Sequence, residues 1–316
     1  MKKISAFLLL ITILYAQKPI LSIEVNGTTK DMVLKKNKLI IGTDNGTLEE
    51  YDYQEKKFTK TIHLPKIKDF MGDLIYPRVF SVDKIEKHYL LLSESGEGGY
   101  SNLWMVKENK KEQIVFAKDK KAIIKARFIN DQQILLAFLS NEVALFNIKS
   151  KQEIYRVQLS ESKFSDFALN EDRTKAVFSC ESGILNVIET KTGKILHELK
   201  GVNLDNVYKV AFQNTIITGA GQDRKGSIYN LKHNKKDYIQ GSFLIYATAI
   251  SPSTNSVAFA MDEQNNISIY NRQTKSKIAE LKGQKSTLNT IIFKDENILF
   301  SASEDNTILM WDLTKN

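Results

Sequence analysis

The run Ile298-Leu299-Phe300-Ser301-Ala302-Ser303-Glu304-Asp305-Asn306-Thr307-Ile308-Leu309-Met310-Trp311-Asp312 reads as two short strands around a polar turn. Branched and aromatic residues fill the first run, Glu-Asp-Asn makes the reversal, and the second run ends on Trp311-Asp312. That closing dipeptide slot recurs upstream as Tyr51-Asp52, Val106-Lys107, Phe146-Asn147, Ile188-Glu189, Tyr229-Asn230 and Tyr270-Asn271. Successive copies lie 55, 40, 42, 41, 41 and 41 residues apart. A four-strand repeat of about 40–45 residues cannot bury its own apolar face, so neighbouring copies must cover one another. Seven copies suffice to close a ring. The expected fold is all-β: a seven-bladed β-propeller, a single domain over residues 17–316.

The seventh copy reaches Asn316 with only three strands. A fourth is offered by Pro19-Ile20-Leu21-Ser22-Ile23-Glu24-Val25-Asn26-Gly27, which is patterned like the outer strands in 195–201 and 278–283. This segment is expected to pair beside the Trp311 strand and close the ring, because an open sheet edge invites aggregation.

These repeats resemble the WD40 family along the chain after residue 16, most specifically in 303–313. The likeness is degenerate. Val202, Ser242 and Gln284 follow Gly201, Gly241 and Gly283 where the family carries a Gly-His pair, so its buried His–Asp–Trp network lacks its histidine. Turns such as Gly42-Thr43-Asp44-Asn45-Gly46-Thr47-Leu48 also look like blades of quinoprotein-type propellers. In length, Lys/Ile/Asn bias and N-terminal segment the chain further resembles the NapL-type accessory proteins of periplasmic nitrate reductase systems in epsilon-class proteobacteria. That resemblance implies a role in assembly, maturation or electron supply of nitrate reductase, without catalysis by this chain.

Lys2 and Lys3, the apolar stretch from Ile4 to Leu14, and Tyr15-Ala16 read as an export signal over residues 1–16, cleaved near Ala16. The stretch is short for a bilayer span, no second one qualifies, and Gln17 rather than a lipid-bearing Cys follows it. A periplasmic monomer with protein partners and no nucleic acid is expected. The net charge of +8 becomes +6 once Lys2 and Lys3 are removed. Cys180 is the one cysteine and continues Ala176-Val177-Phe178-Ser179, so it should be buried and inert.

Chemistry-bearing constellations are scarce. His63, His88, His197 and His233 fall in different repeats, and no Cys pair, HExxH or phosphate loop occurs. No catalytic residue, metal site or cofactor is expected. The rival reading is a propeller hydrolase of the lactonase type or a quinone-dependent dehydrogenase, and a further one is an envelope-assembly scaffold.

Irregularity in the repeat is more informative. The excess length of the first gap divides between 65–78, which carries Phe70, Met71, Ile75, Tyr76 and Arg78, and 93–101, which carries Tyr100. Both connections belong on the same, narrower face, where insertions often mark a binding surface. They serve either partner contact or cover for their own blade. Aligned inner strands place Lys30, Arg78, Lys125, Ser165, Tyr208, Tyr246 and Asn289 around the channel mouth, where bases and tyrosines suit an acidic or aromatic-bearing peptide. On the other face, Lys56-Lys57, Lys110-Lys111, Lys149 with Lys151, Lys191 with Lys194, Lys235-Lys236 and Lys275 with Lys277 recur in one turn of successive blades. This lysine ring is either merely solvated or docks on an acidic protein or an anionic membrane surface.

Overall fold

A computed structural model describes residues 16–108 and 110–315. The expected export signal lies outside the described residues except for Ala16. No described helix is long and apolar enough to cross a membrane.

Seven antiparallel sheets stand in a ring, with blades at 29–63, 79–115, 123–158, 164–199, 207–240, 247–281 and 288–312. Within each blade the strands lie in chain order from the axis outward. All seven recurring dipeptides are the last two residues of a third strand. The apolar residues gather into seven clusters, and every one of them combines two neighbouring blades. Each blade-to-blade seam is therefore its own core, which is what a repeat unable to bury its own face demands.

The N-terminus closes the ring, as the missing fourth strand required. Leu21–Glu24 pairs antiparallel with Thr307–Asp312, placing Leu21 opposite Met310 and Ile23 opposite Ile308. Ala16–Gln17 adds a second attachment, running parallel to the outer strand of blade 6 with Gln17 opposite Leu281. The Gln17 side chain also donates to the Leu313 carbonyl at 3.1 Å. One segment thus grips two blades.

Blade 7 keeps a buried polar network despite its missing histidine. Trp311 Nε1 donates to Ser301 Oγ at 2.9 Å, Ser301 Oγ donates to Gln284 Oε1 at 2.7 Å, and Gln284 Nε2 donates to Ser303 Oγ at 2.6 Å. Gln284 is buried. An amide offers both an acceptor and a donor, so it can bridge the two serines as no aliphatic residue could. Cys180 is buried and unpaired, as its strand pattern required.

Two outcomes test this account. Deleting residues 19–27 strips the fourth strand from blade 7 and uncovers Ile23 and Val25's seam with blade 1; aggregation on size-exclusion chromatography is expected, and normal thermal unfolding would refute the closure. Gln284→Leu leaves the Ser301 and Ser303 hydroxyls short of partners and should cost about 1–3 kcal/mol in urea denaturation, whereas an unchanged midpoint would show the network to be idle.

Candidate interaction site

Strand polarity divides the loops between two faces. Blade-to-blade connections and turns between second and third strands share one face, here the upper; turns between first and second and between third and fourth strands share the lower.

The two insertions meet on the upper face over blades 1 and 2. Ile67–Lys68 pairs with Leu74–Ile75 as a short hairpin. Its tip is fixed by Asp69, whose Oδ1 accepts from the backbone of Met71 and of Asp73, each at 2.9 Å. This internal scaffold holds Phe70 outward at 91% exposure and Met71 at 71%, with Leu74 and Tyr76 exposed behind them. Lys66 Nζ sits 4.9 Å from the Tyr76 ring centroid. The second insertion buttresses the first: a Cβ on Gly96, at φ +79°, would stand 1.9 Å from the Lys68 carbonyl oxygen, so only glycine permits the contact. Arg78 is tied down by Glu94, which accepts from its Nε at 3.1 Å and its Nη2 at 3.0 Å. Tyr100 lies half-buried in the same ridge, its backbone held by Glu97 and Ser95.

The channel-mouth ring needs correction at two positions. Six of the seven first strands, all but that of blade 6, bulge near their start, and the bulged residues are Lys30, Phe80, Ile124, Ser165, Tyr208 and Asn289. Phe80 and Ile124 therefore hold the places assigned to Arg78 and Lys125, because the insertion shifts one strand by two residues and the bulge shifts the other by one. Lys30 forms an ion pair with Glu304 at 2.6 Å across the blade 7–blade 1 seam. Tyr208 and Tyr246 stack, with centroids 5.2 Å apart, and Phe243 packs against Tyr246 at 6.3 Å. Sequence reading missed Phe243 in this group, although the unusually apolar loop 243–246 signalled it.

Lys125 is not at the mouth but inside the channel. Its Nζ donates to Asp166 Oδ1 at 2.6 Å and to the Phe167 carbonyl at 2.8 Å. Burial drives the ammonium down to about 8, with Asp166 opposing and Arg127 and Lys209 adding to the fall. Around it runs a network the motifs did not reveal. Asp31 accepts the Val82 amide at 2.8 Å, Asp83 the Phe128 amide at 3.0 Å, Ser81 Oγ the Ala126 amide at 3.1 Å, and Asp166 the Val210 amide at 3.2 Å. Arg127 pairs with Asp31 at 2.8 Å, while Arg173 and Lys35 pair with Asp83 at 2.8 and 3.0 Å. Burial alone would raise Asp83; the Lys35 and Arg173 charges outweigh it and hold the carboxyl down at about 2. A cavity of about 430 Å³ lies against these groups. Since every carboxylate is already occupied by cations and backbone donors, the network holds blades 1–5 in register. Among the described residues no group of three His, Cys, Asp or Glu side chains is placed to hold a metal.

The fold defines the chain as a seven-bladed β-propeller. Neither a protein-family model nor a curated protein sequence matches it.

Asp83 gives a pH-dependent test. In the folded chain it stays ionised to about pH 2, and unfolded it takes its proton near 3.8. Its contribution, on the order of 2 kcal/mol for a shift of this size, is complete above the unfolded value and is lost as pH falls towards 2. Asp83→Asn leaves the half-buried Lys35 and Arg173 without their carboxylate and should cost roughly 2–4 kcal/mol at neutral pH. In urea denaturation the gap from the parent protein should narrow as pH falls towards 2; a pH-independent gap would refute the pairing.

Proposed function

We propose that this propeller is a non-catalytic protein–protein interaction scaffold that engages its partner through the upper-face ridge. The observation that carries the reading is the exposed Phe70-Met71 tip, mounted on an Asp69-locked hairpin and braced from beneath by Gly96. Solvent loops rarely present such an apolar load in a fixed shape, and rigid aromatic anchors are what interface centres are made of. The Tyr208–Tyr246 stack on the same face offers a second contact.

The degenerate WD40 repeats and the resemblance to NapL-type proteins supply the partner class: components of a periplasmic nitrate reductase system, met after export to the periplasm. On this reading the chain assists assembly, maturation or electron supply and has no bound cofactor.

Immobilised protein incubated with periplasmic extract should retain a nitrate reductase component. The Phe70→Ala/Tyr76→Ala double variant, folded by circular dichroism, should release it, each truncation costing ~2 kcal/mol or more. Retention undiminished by the double variant would remove the ridge from the interface; retention of no reductase component would remove the partner class.

A further inference from the structure

Charge is unevenly spread over the disc: the blade-to-blade connections of the upper face hold ten bases against five acids, and the turns beside them offset that excess. The turns between second and third strands, on the upper face, hold eight acidic residues against one base, Arg224. The turns between third and fourth strands, with the residues after the last third strand, hold nine bases against two acids, Glu55 and Glu108. Lower-face turns nearer the axis lean slightly acidic, with six acids to four bases. The basic charge is therefore an annulus at the outer radius of the lower face. The first residue of the outer strand reinforces it as Lys57, Lys110, Lys235 and Lys277.

Three properties narrow what such an annulus fits. Lys56, Lys149, Lys191, Lys194, Lys232 and Lys235 are exposed and form no ion pair among the described residues, so this charge faces solvent unspent. The annulus occupies the turns of six blades and reaches blade 2 through Lys110 in its outer strand, so a protein partner engaging all of it would have to be as broad as the disc. Among the described residues these turns hold no large exposed apolar side chain, and the exposed Phe58, Ile195 and Ile278 at the starts of the adjoining outer strands stand singly in separate blades, without the clustered anchor on which a protein interface is centred. A planar surface of delocalised negative charge has none of these requirements.

We propose that the lower face docks flat on an anionic phospholipid surface by electrostatic attraction, leaving the upper face with its Phe70 ridge turned away from the membrane. Lysines held near such a surface contribute roughly fivefold each to partitioning, and the attraction fades within a Debye length. This orientation stands independently of what the ridge binds.

The test uses the full folded chain in co-sedimentation with vesicles of phosphatidylcholine alone, or of phosphatidylcholine and phosphatidylglycerol in a seven-to-three ratio. Binding should need the anionic lipid and fall steeply with added salt. Lys149→Glu/Lys191→Glu/Lys232→Glu should weaken it by at least about tenfold. Lys118→Glu/Lys120→Glu/Lys285→Glu changes net charge equally but lies on the upper face, and should bind nearly as the parent does. Equal losses in both variants would overturn oriented docking in favour of bulk charge. Binding to neutral vesicles would point instead to insertion of the ridge, and absence of binding to anionic vesicles at low salt would overturn the membrane as partner.

Discussion

Every innermost strand of this ring turns one sheet edge towards the axis, and the backbone donors along that edge have no strand to pair with. Buried amides without acceptors are costly. For blades 2, 3 and 5 the preceding blade supplies acceptors: Asp31 for Val82, Ser81 for Ala126, Asp83 for Phe128 and Asp166 for Val210. Much of the rest of the axis follows from that choice. Carboxylates strong enough to cap several amides must themselves be neutralised, so Arg127, Lys125, Lys35 and Arg173 are drawn into the interior. Arg127 reaches from blade 3 to blade 1 and Arg173 from blade 4 to blade 2. The edge problem of one strand becomes a set of struts across the hole, and the blades are tied as non-neighbours as well as neighbours.

The fold was legible because its period is enforced by burial. Residues such as Trp311, Tyr229 and Phe146 end a third strand in each blade and sit in equivalent seams, so the same slot must stay apolar and large. The ridge was visible as surplus length carrying Phe70 and Met71. What stayed hidden depends on contacts between distant residues. The Gly96 approach to Lys68 joins two insertions separately spliced into the repeat. Bulges add one unpaired residue to a strand without changing its apolar look, so Lys125 read as a mouth residue when Ile124 holds that place. Gln284 read as the loss of a histidine, yet its amide rebuilds a bridge between Trp311's partner Ser301 and Ser303.

The ridge and the lysine annulus use different physics on opposite faces. On the proposed reading, few groups are held rigidly at the ridge, and desolvation of Phe70 and its neighbours would favour slow dissociation from a shaped partner. At the annulus, many exposed charges would act at range, favouring fast, reversible and salt-sensitive association under the docking proposed for the lower face. A disc is well suited to separating the two, because its strands run from one face to the other and carry no side-chain requirement from turn to turn.

The N-terminal grip on blades 6 and 7 also fixes the order of events in the life of the chain. Leu21 leaves the ribosome 289 residues ahead of its partner Met310. Bringing ends so far apart in sequence together costs about 5 kcal/mol of loop entropy, and contacts of such separation slow folding. Until then the growing ring is an open crescent with one raw sheet edge. Once fastened, the same separation works in reverse: a blade cannot peel away until both attachments of residues 16–24 are undone. The molecule should therefore be slow to mature and slow to come apart, its persistence governed by a barrier rather than by an equilibrium.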